Sequence, residues 1–251
     1  MHNKSNKKSD ESKISDATNT KFPTPIYPEA LETSRTYPPA EDTFLLLDAL
    51  ERDLHLIKKL NPLICVEIGC GSGVVISFFS ANFLSNSALC LAVDISDDAA
   101  HITKQTCQMN NVNVEVVRCD LLGPLEGKLY RSFDIILFNP PYVPTDAEEF
   151  EEAKSSAINA DYTSDSKLSQ LSVISAAWAG GKNGMEVTDR ILNKLDDLLA
   201  PDGLAYIVFL SSNKPKEVII RMRQFGFDGK IILQREAGIE QLSIVRFMRR
   251  N

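Results

Sequence analysis

Phe133-Asp134-Ile135-Ile136-Leu137-Phe138-Asn139-Pro140-Pro141-Tyr142 is the stretch on which the reading of this chain turns. An apolar run rich in β-branched and aromatic residues describes a buried strand. It stops at an Asn followed by two prolines, which can neither donate to a sheet ladder nor continue one. The chain must therefore turn sharply at the strand's carboxyl end, where open α/β sheets carry their ligand sites.

The atoms of that turn define a chemistry. Asn139 offers a carbonyl acceptor and an NH2 donor, and the ring of Pro140 directs a carbonyl that keeps an acceptor to spare. Two converging acceptors would grip both hydrogens of a target NH2 group and aim its nitrogen lone pair outward. Tyr142 adds an aromatic face against which a flat amide or base can lie. The motif contains no strong general base, so it suits methylation of a weakly nucleophilic planar nitrogen, in which positioning carries much of the catalysis. A plain strand-ending Pro-Pro turn is the competing reading, and the rest of the chain decides between them.

From Leu63 onward strands and helices alternate: strand 63–68, helix 74–84, strand 88–93, helix 97–110, strand 112–118, strand 133–138. The pattern implies a mainly parallel sheet with crossover helices. Val66-Glu67-Ile68-Gly69-Cys70-Gly71-Ser72-Gly73 closes the first of these strands and opens a helix. Glycines at such a turn, Gly69 and Gly71 among them, let backbone approach a ligand closely. The loop is not a dinucleotide fingerprint, because position 74 is Val and Glu67 would face a pyrophosphate. Two further acids close strands, Asp94 and Asp120, so that with Glu67 and Asn139 four successive strands deliver a polar side chain to one sheet edge. Asp94 is placed to accept from ribose hydroxyls, and Asp120 from the exocyclic amine of an adenine, with Leu121 beside the ring. A pocket of carboxylates without Arg or Lys fits a cofactor that is cationic and lacks phosphate, and S-adenosylmethionine meets that description. For any single acid, capping of the next helix explains it as well; the ordered set favours the cofactor.

Beyond this core, residues 1–21 are too polar to order themselves, and the tail is drawn as 1–26 with the domain over 27–251. Residues 22–39 hold five prolines among Phe22, Tyr27 and Tyr37, an extended segment that lies across something. One helix is expected from Glu41 to about Lys59, with acids at its positive end. The stretch 146–169, with Glu148, Glu149, Glu151 and Glu152, reads as a loop or surface helix. Helices at 170–177 and 186–199 follow, then a Pro201-Asp202-Gly203 turn into strand 204–210, a helix near 215–224, and apolar runs at 230–233 and 242–248 that close the sheet.

The 251 residues are 43% hydrophobic, enough for one sizeable core. A formal charge of -7 argues against a dedicated nucleic-acid binder. Five cysteines without Cys-x-x-Cys spacing read as reduced, buried thiols of a cytoplasmic or nuclear protein, not as metal ligands. No apolar run reaches transmembrane or signal-peptide form, so no membrane association is expected.

The same residues resemble the HemK-like class I methyltransferases, in particular the eukaryotic and archaeal branch that methylates the glutamine of the Gly-Gly-Gln loop in class I peptide release factors. The resemblance covers most of 37–248. Besides the Asn-Pro-Pro-Tyr turn and glycine loop it rests on Pro39-Ala40-Glu41-Asp42-Thr43-Phe44-Leu45-Leu46-Leu47-Asp48, on Trp178-Ala179-Gly180-Gly181 with Asn183-Gly184, Glu186-Val187 and Asp189-Arg190, and on Arg235-Glu236-Ala237-Gly238. It implies an α/β Rossmann-like fold, with a seven-stranded, mostly parallel sheet, an antiparallel last strand and helices on both faces. It implies that Thr43, Glu67, Gly69, Asp94, Asp120, Leu121 and Asn139 contact S-adenosylmethionine, with S-adenosylhomocysteine as product and no metal. It also implies that Asn139, Pro140, Pro141 and Tyr142 hold the target amide. Two departures stand out: Pro38 replaces the branch's usual Glu, and the acidic stretch after the turn is longer.

Adenine N6 transfer in nucleic acid is an alternative, although base extraction needs a recognition domain for which this acidic chain has little spare length. Protein lysine methylation is another, for which a base is wanting, and a catalytically silent scaffold subunit is a third. The branch works with a small zinc-ribbon activator protein as a heterodimer. The apolar edge strand expected at Val112–Arg118, protected only by Glu115 and Arg118, is the surface that such a partner would cover.

Overall fold

A computed structural model describes residues 21–125, 127–158, 177–238 and 240–250. Seven strands form one sheet in the order β3-β2-β1-β4-β5-β7-β6. They are β1 (Ile64–Ile68), β2 (Leu89–Asp94), β3 (Glu115–Arg118), β4 (Phe133–Phe138), β5 (Leu199–Leu210), β6 (Phe227–Ala237) and β7 (Glu240–Arg249). Every pair from β3 to β5 is parallel, and β7 runs antiparallel between β5 and β6. The expected class I methyltransferase architecture is therefore present, with its antiparallel last strand inside the edge and not on it.

Side chains alternate across the strands and feed two cores. Ile135 and Leu137 of β4 pack with Leu46, Leu50 and Phe79 on one face, while Ile136 and Phe138 pack with Ile191, Leu195 and Met222 on the other. The first face is covered by α1 (Glu41–Arg52), α2 (Leu54–Leu60), α3 (Val74–Phe83) and α4 (Asp97–Met109). The second is covered by α6 (Glu186–Leu192), α7 (Leu195–Leu198) and α8 (Pro215–Gln224), and α5 (Ala147–Ile158) follows β4. Cys65, Cys70, Cys90 and Cys107 are buried free thiols and Cys119 is half-buried. No helix among the described residues is long and apolar enough to cross a membrane.

Four local expectations are corrected. The single helix over 41–59 is two, because Asp53 leaves helical geometry (φ -96°, ψ 12°), its carboxylate accepting from Tyr206 on β5 (3.0 Å) and Arg246 on β7 (2.5 Å). The third strand begins at Glu115 and not at 112, since Asn111 is left-handed (φ 54°) and Val112 N–H still bonds the Cys107 carbonyl of the exiting helix. Pro201-Asp202-Gly203 is not a turn ahead of a strand. It lies within β5 as a bulge, where the pairing jumps from Phe133↔Leu199 to Ile135↔Leu204. The tail boundary drawn at residue 26 falls inside an attached strap: the Phe22 ring meets Phe78 and Phe83 edge-on at 6.1 and 5.9 Å. Asn110 clamps Ile26 by both its N–H (3.1 Å) and its carbonyl (2.6 Å). The helix expected at 170–177 lies outside the described residues except for Ala177, which is in a turn.

Candidate active site

Parallel register brings the strand ends together. Ile68 lies beside Val93 and Phe138, and Asp94 beside Arg118, so the chain leaves β1, β2, β3 and β4 along one sheet edge. The glycine loop is tied to that edge by Gly69 N–H and Cys70 N–H, which both donate to the Val93 carbonyl (2.8 and 3.0 Å). Asp94 closes the loop, its Oδ2 accepting from Gly71 N–H (3.0 Å) and its Oδ1 from Ser96 N–H (2.9 Å). Gly73 adopts φ +73°, and a Cβ there would stand 2.7 Å from Thr103 Cα, so the loop presses on α4. Thr103 and Thr106 of that helix donate to the Gly71 and Ser72 carbonyls (3.0 and 2.7 Å). Gly71 also has positive φ (+49°), but a Cβ there would meet nothing within 4 Å, because its outer face opens into a cavity.

That cavity has a volume of about 810 Å³. Its wall includes every candidate named from the sequence: Thr43, Glu67, Gly69, Gly71, Asp94, Asp120, Leu121, Asn139, Pro140, Pro141 and Tyr142. Glu67 is 2% exposed, and burial holds its carboxyl well above the ordinary range, with Ile76 N–H opposing and Asp94 adding to the shift. Burial also raises Asp94, against the pull of the Gly71, Ser96 and Ile95 N–H groups. Leu121 is left-handed (φ 51°), a strain of roughly 1–3 kcal/mol of the kind that clusters at functional sites. The Thr43 hydroxyl faces inward and accepts from Ala40 N–H (3.3 Å) at the start of α1.

The cavity is not free of basic residues, as strand-end reasoning had it. Arg190 of α6 donates to both oxygens of Asp120 (3.0 and 2.8 Å), and Arg35 of the strap lines the wall beside Asp98 (3.6 Å). Both arrive from segments distant in sequence, which an inventory of strand ends does not reach. The acidic stretch also takes part: α5 places Phe150 and Ala153 in the wall.

At the Asn139 turn, Asp42, a helix-start acid within the segment that carries the resemblance but not among the expected site residues, takes the central position. Asp42 is 4% exposed, and its Oδ2 accepts from both the Asn139 NH2 group (3.0 Å) and the Tyr142 hydroxyl (2.7 Å). The Asn139 carbonyl oxygen is buried and has no hydrogen-bond partner. Burial, followed by the charge of Asp42, raises the Tyr142 phenol and keeps it a proton donor. Behind the turn, Val143 N–H donates to the Trp178 carbonyl (2.9 Å) and Gly180 N–H to the Val143 carbonyl (2.8 Å). Asn213 spans the join, donating to the Tyr142 and Asn183 carbonyls (2.9 Å each). The Trp-Ala-Gly-Gly segment thus acts as a buttress, and Gly180 is required there because a Cβ would stand 2.6 Å from the Pro141 carbonyl oxygen.

The donor set fits a small cationic nucleoside. Glu67 Oε2 and Asn139 Oδ1 are buried polar atoms without partners, and unmet polar atoms in a wall call for a partner from a ligand. Among the described residues, no group of three or more His, Cys, Asp or Glu is placed to hold a metal ion.

Residues 42–163 match the family model described as Methyltransferase small domain. The chain is 40% identical over 214 residues to Methyltransferase HEMK2 of Homo sapiens, covering 85% of this chain and 90% of that one. It is 38% identical over 229 residues to the eRF1 methyltransferase catalytic subunit mtq2 of Schizosaccharomyces pombe, covering 87% and 91%. Among solved structures it is similar to the E. cuniculi Mtq2-Trm112 complex, described as responsible for methylation of the eRF1 translation termination factor. The TM-score is 0.56 at 24% identity, over 86% of this chain and 99% of that one.

Proposed function

The chain belongs to the HEMK2/Mtq2 family of methyltransferases, and we propose that it transfers a methyl group from S-adenosylmethionine to a glutamine side-chain nitrogen. The target is the Gln in the Gly-Gly-Gln loop of a class I translation release factor. The observation that carries this reading is the unpartnered, buried Asn139 carbonyl oxygen at a turn whose next two residues are prolines. It is an acceptor waiting for an N–H, and a primary amide supplies one. The family of the relatives supports the substrate, since one carries eRF1 in its name.

In this reading Asp94 and Asp120 accept from the ribose and the adenine amine, and Glu67 and Thr43 line the remainder of the cofactor's path. Bound S-adenosylmethionine supplies an electrophilic methyl group. Asn139 and the Pro140 carbonyl orient the amide nitrogen, and the Tyr142 ring flanks the amide plane. Because no protein group has to ionise first, and the surplus amide proton leaves to water once the nitrogen has taken the methyl group, geometry supplies the acceleration. Labelled methyl transfer to a release factor, to its loop Gln→Ala form, to a lysine-bearing peptide and to an oligonucleotide tests this. Label confined to the intact Gln loop is the expected result, and label on lysine or adenine alone would replace it.

We also propose a small zinc-ribbon activator as partner. One relative is named a catalytic subunit, which implies a second chain. Among the described residues β3 pairs with β2 alone, at the end of the sheet order. Val112 and Val114, just ahead of β3, and Val116 within it pack against the first core but are only partly buried. Sedimentation and turnover of the isolated chain decide the matter: a soluble monomer with full activity, indifferent to added activator, would end the heterodimer.

A further inference from the structure

An Asn side chain can be turned by half a rotation with little change of shape, exchanging a donor for an acceptor. What fixes Asn139 is therefore decisive for what the cavity can bind. Asp42 Oδ1 is taken by Thr43 N–H (2.7 Å), and Oδ2 faces the Asn139 side chain. Turned the other way, Asn139 would set its carbonyl oxygen against that carboxylate oxygen, two buried acceptors with no hydrogen between them, an arrangement that costs the carboxylate one of its two donors and leaves the Asn139 oxygen facing a negative charge. The Tyr142 hydroxyl reaches the same Oδ2, so one oxygen atom anchors both the amide and the aromatic face.

We propose that Asp42 is a positioning residue that locks Asn139 with its acceptor toward the cavity, and so makes the site choose a glutamine amide over the near-isosteric glutamate carboxylate. This rests on the reading of the site as a glutamine methyltransferase. Asp42 acts through Asn139 and Tyr142 and touches no reacting atom. A glutamate in the target loop would bring two acceptors against the Asn139 oxygen, whereas glutamine brings two donors.

The test uses the full chain in the form active on a release factor, with the intact loop and its Gln→Glu form. Wild type should bind the Gln loop at least about tenfold more tightly than the Glu loop, the value of one well-placed hydrogen bond to a buried acceptor. In Asp42→Asn the new NH2 group lets Asn139 turn. Its kcat on the Gln loop should fall by roughly 10- to 100-fold, its affinity for S-adenosylhomocysteine should stay within about threefold, and its Gln/Glu preference should collapse toward unity. Tyr142→Phe removes one donor from Asp42 but leaves the Asn139 bond, and should keep the preference. Wild type that methylates Gln yet binds both loops equally overturns the role of Asp42, whether or not the variants fold. So does Asp42→Asn with its preference intact. Wild type that labels no glutamine overturns the proposed function, and this inference with it.

Discussion

Gly184 lies so close beneath Tyr142 that a Cβ placed on it would stand 1.9 Å from the Tyr142 carbonyl oxygen, at a φ of +66° that L side chains rarely adopt. The backbone of the Asn139 turn thus rests on the backbone of the buttress, with Asn213 bonded to both. Gly184→Ala must lift the turn away from its support. We expect kcat to drop by roughly 100-fold, as misplacements near 1 Å do, with a stability loss of about 1–3 kcal/mol from overpacking. Gly226→Ala is the control: φ is +84° but nothing lies within 4 Å of its Cβ, so it should cost about 1–2 kcal/mol and leave turnover unchanged. Near wild-type turnover in Gly184→Ala would show that the buttress does not set the turn.

Asn139→Ala removes the acceptor while leaving Asp42 its bonds to Tyr142 and Thr43. Turnover should fall by about 100-fold or more, whereas the loss of one hydrogen bond should cost stability only about 1 kcal/mol. Steady-state kinetics beside denaturant unfolding separates the two. Activity within a few-fold of wild type would remove Asn139 from the mechanism.

The parts of this molecule that were legible in the sequence are those governed by local pattern. Each of β1 to β4 carries a polar residue at or near its carboxyl end, and parallel register converts that linear pattern into a row, so Glu67, Asp94, Asp120 and Asn139 could be placed at one edge from their spacing. Asp42 could not. Its segment carries the resemblance, but its role does not follow from position at a helix start: only the packing of α1 over the sheet, through Leu46 and Leu50, turns its carboxylate to the Asn139 turn. Arg190 was hidden for the same reason, as was the break at Asp53, because the groups that cause it, Tyr206 and Arg246, are distant in sequence. The Pro201-Asp202-Gly203 bulge is not legible in the sequence because turn-forming residues look alike in a turn and in a strand irregularity. The parting of β5 from β4 at that point is visible only in the register.

Glu67 gives the fold a pH dependence. Its ordinary value is 4.5 and the folded value lies well above, chiefly through burial. The folded chain therefore keeps a proton that the unfolded chain releases, so the stability this group contributes is full below the ordinary value and is lost as pH rises toward the folded one. Asp94 is shifted in the same direction. Glu67→Gln is neutral at every pH and loses nothing on the way up. Melting temperatures of the two proteins should be similar near pH 5 and diverge toward about pH 8, with Gln the more stable. A gap that is constant, or that narrows with pH, would mean that Glu67 is ionised in the folded chain throughout.

Arg190 and Asp120 form a two-pronged pair, but the side chains are 48% and 46% exposed, and pairs so open to solvent contribute up to about 1 kcal/mol. The pair is therefore better understood as an aiming device than as a source of stability. With one guanidinium nitrogen on each oxygen, the carboxylate plane is fixed, and each oxygen retains a lone pair for the adenine amine. Removing the carboxylate should weaken S-adenosylhomocysteine binding about tenfold or more, the worth of a charged hydrogen bond of roughly 1.5–3 kcal/mol. Arg190→Ala, which leaves the acceptor but frees its orientation, should weaken binding by only about two- to fivefold. Because the arginine acts through the aspartate, the double variant should bind no worse than Asp120→Ala alone. Added salt should weaken binding to wild type more than to Arg190→Ala, since only the former has an exposed pair to screen. Calorimetric titration of the four proteins at two salt concentrations reads all of this. Losses that add in the double variant would show that Arg190 meets the cofactor directly.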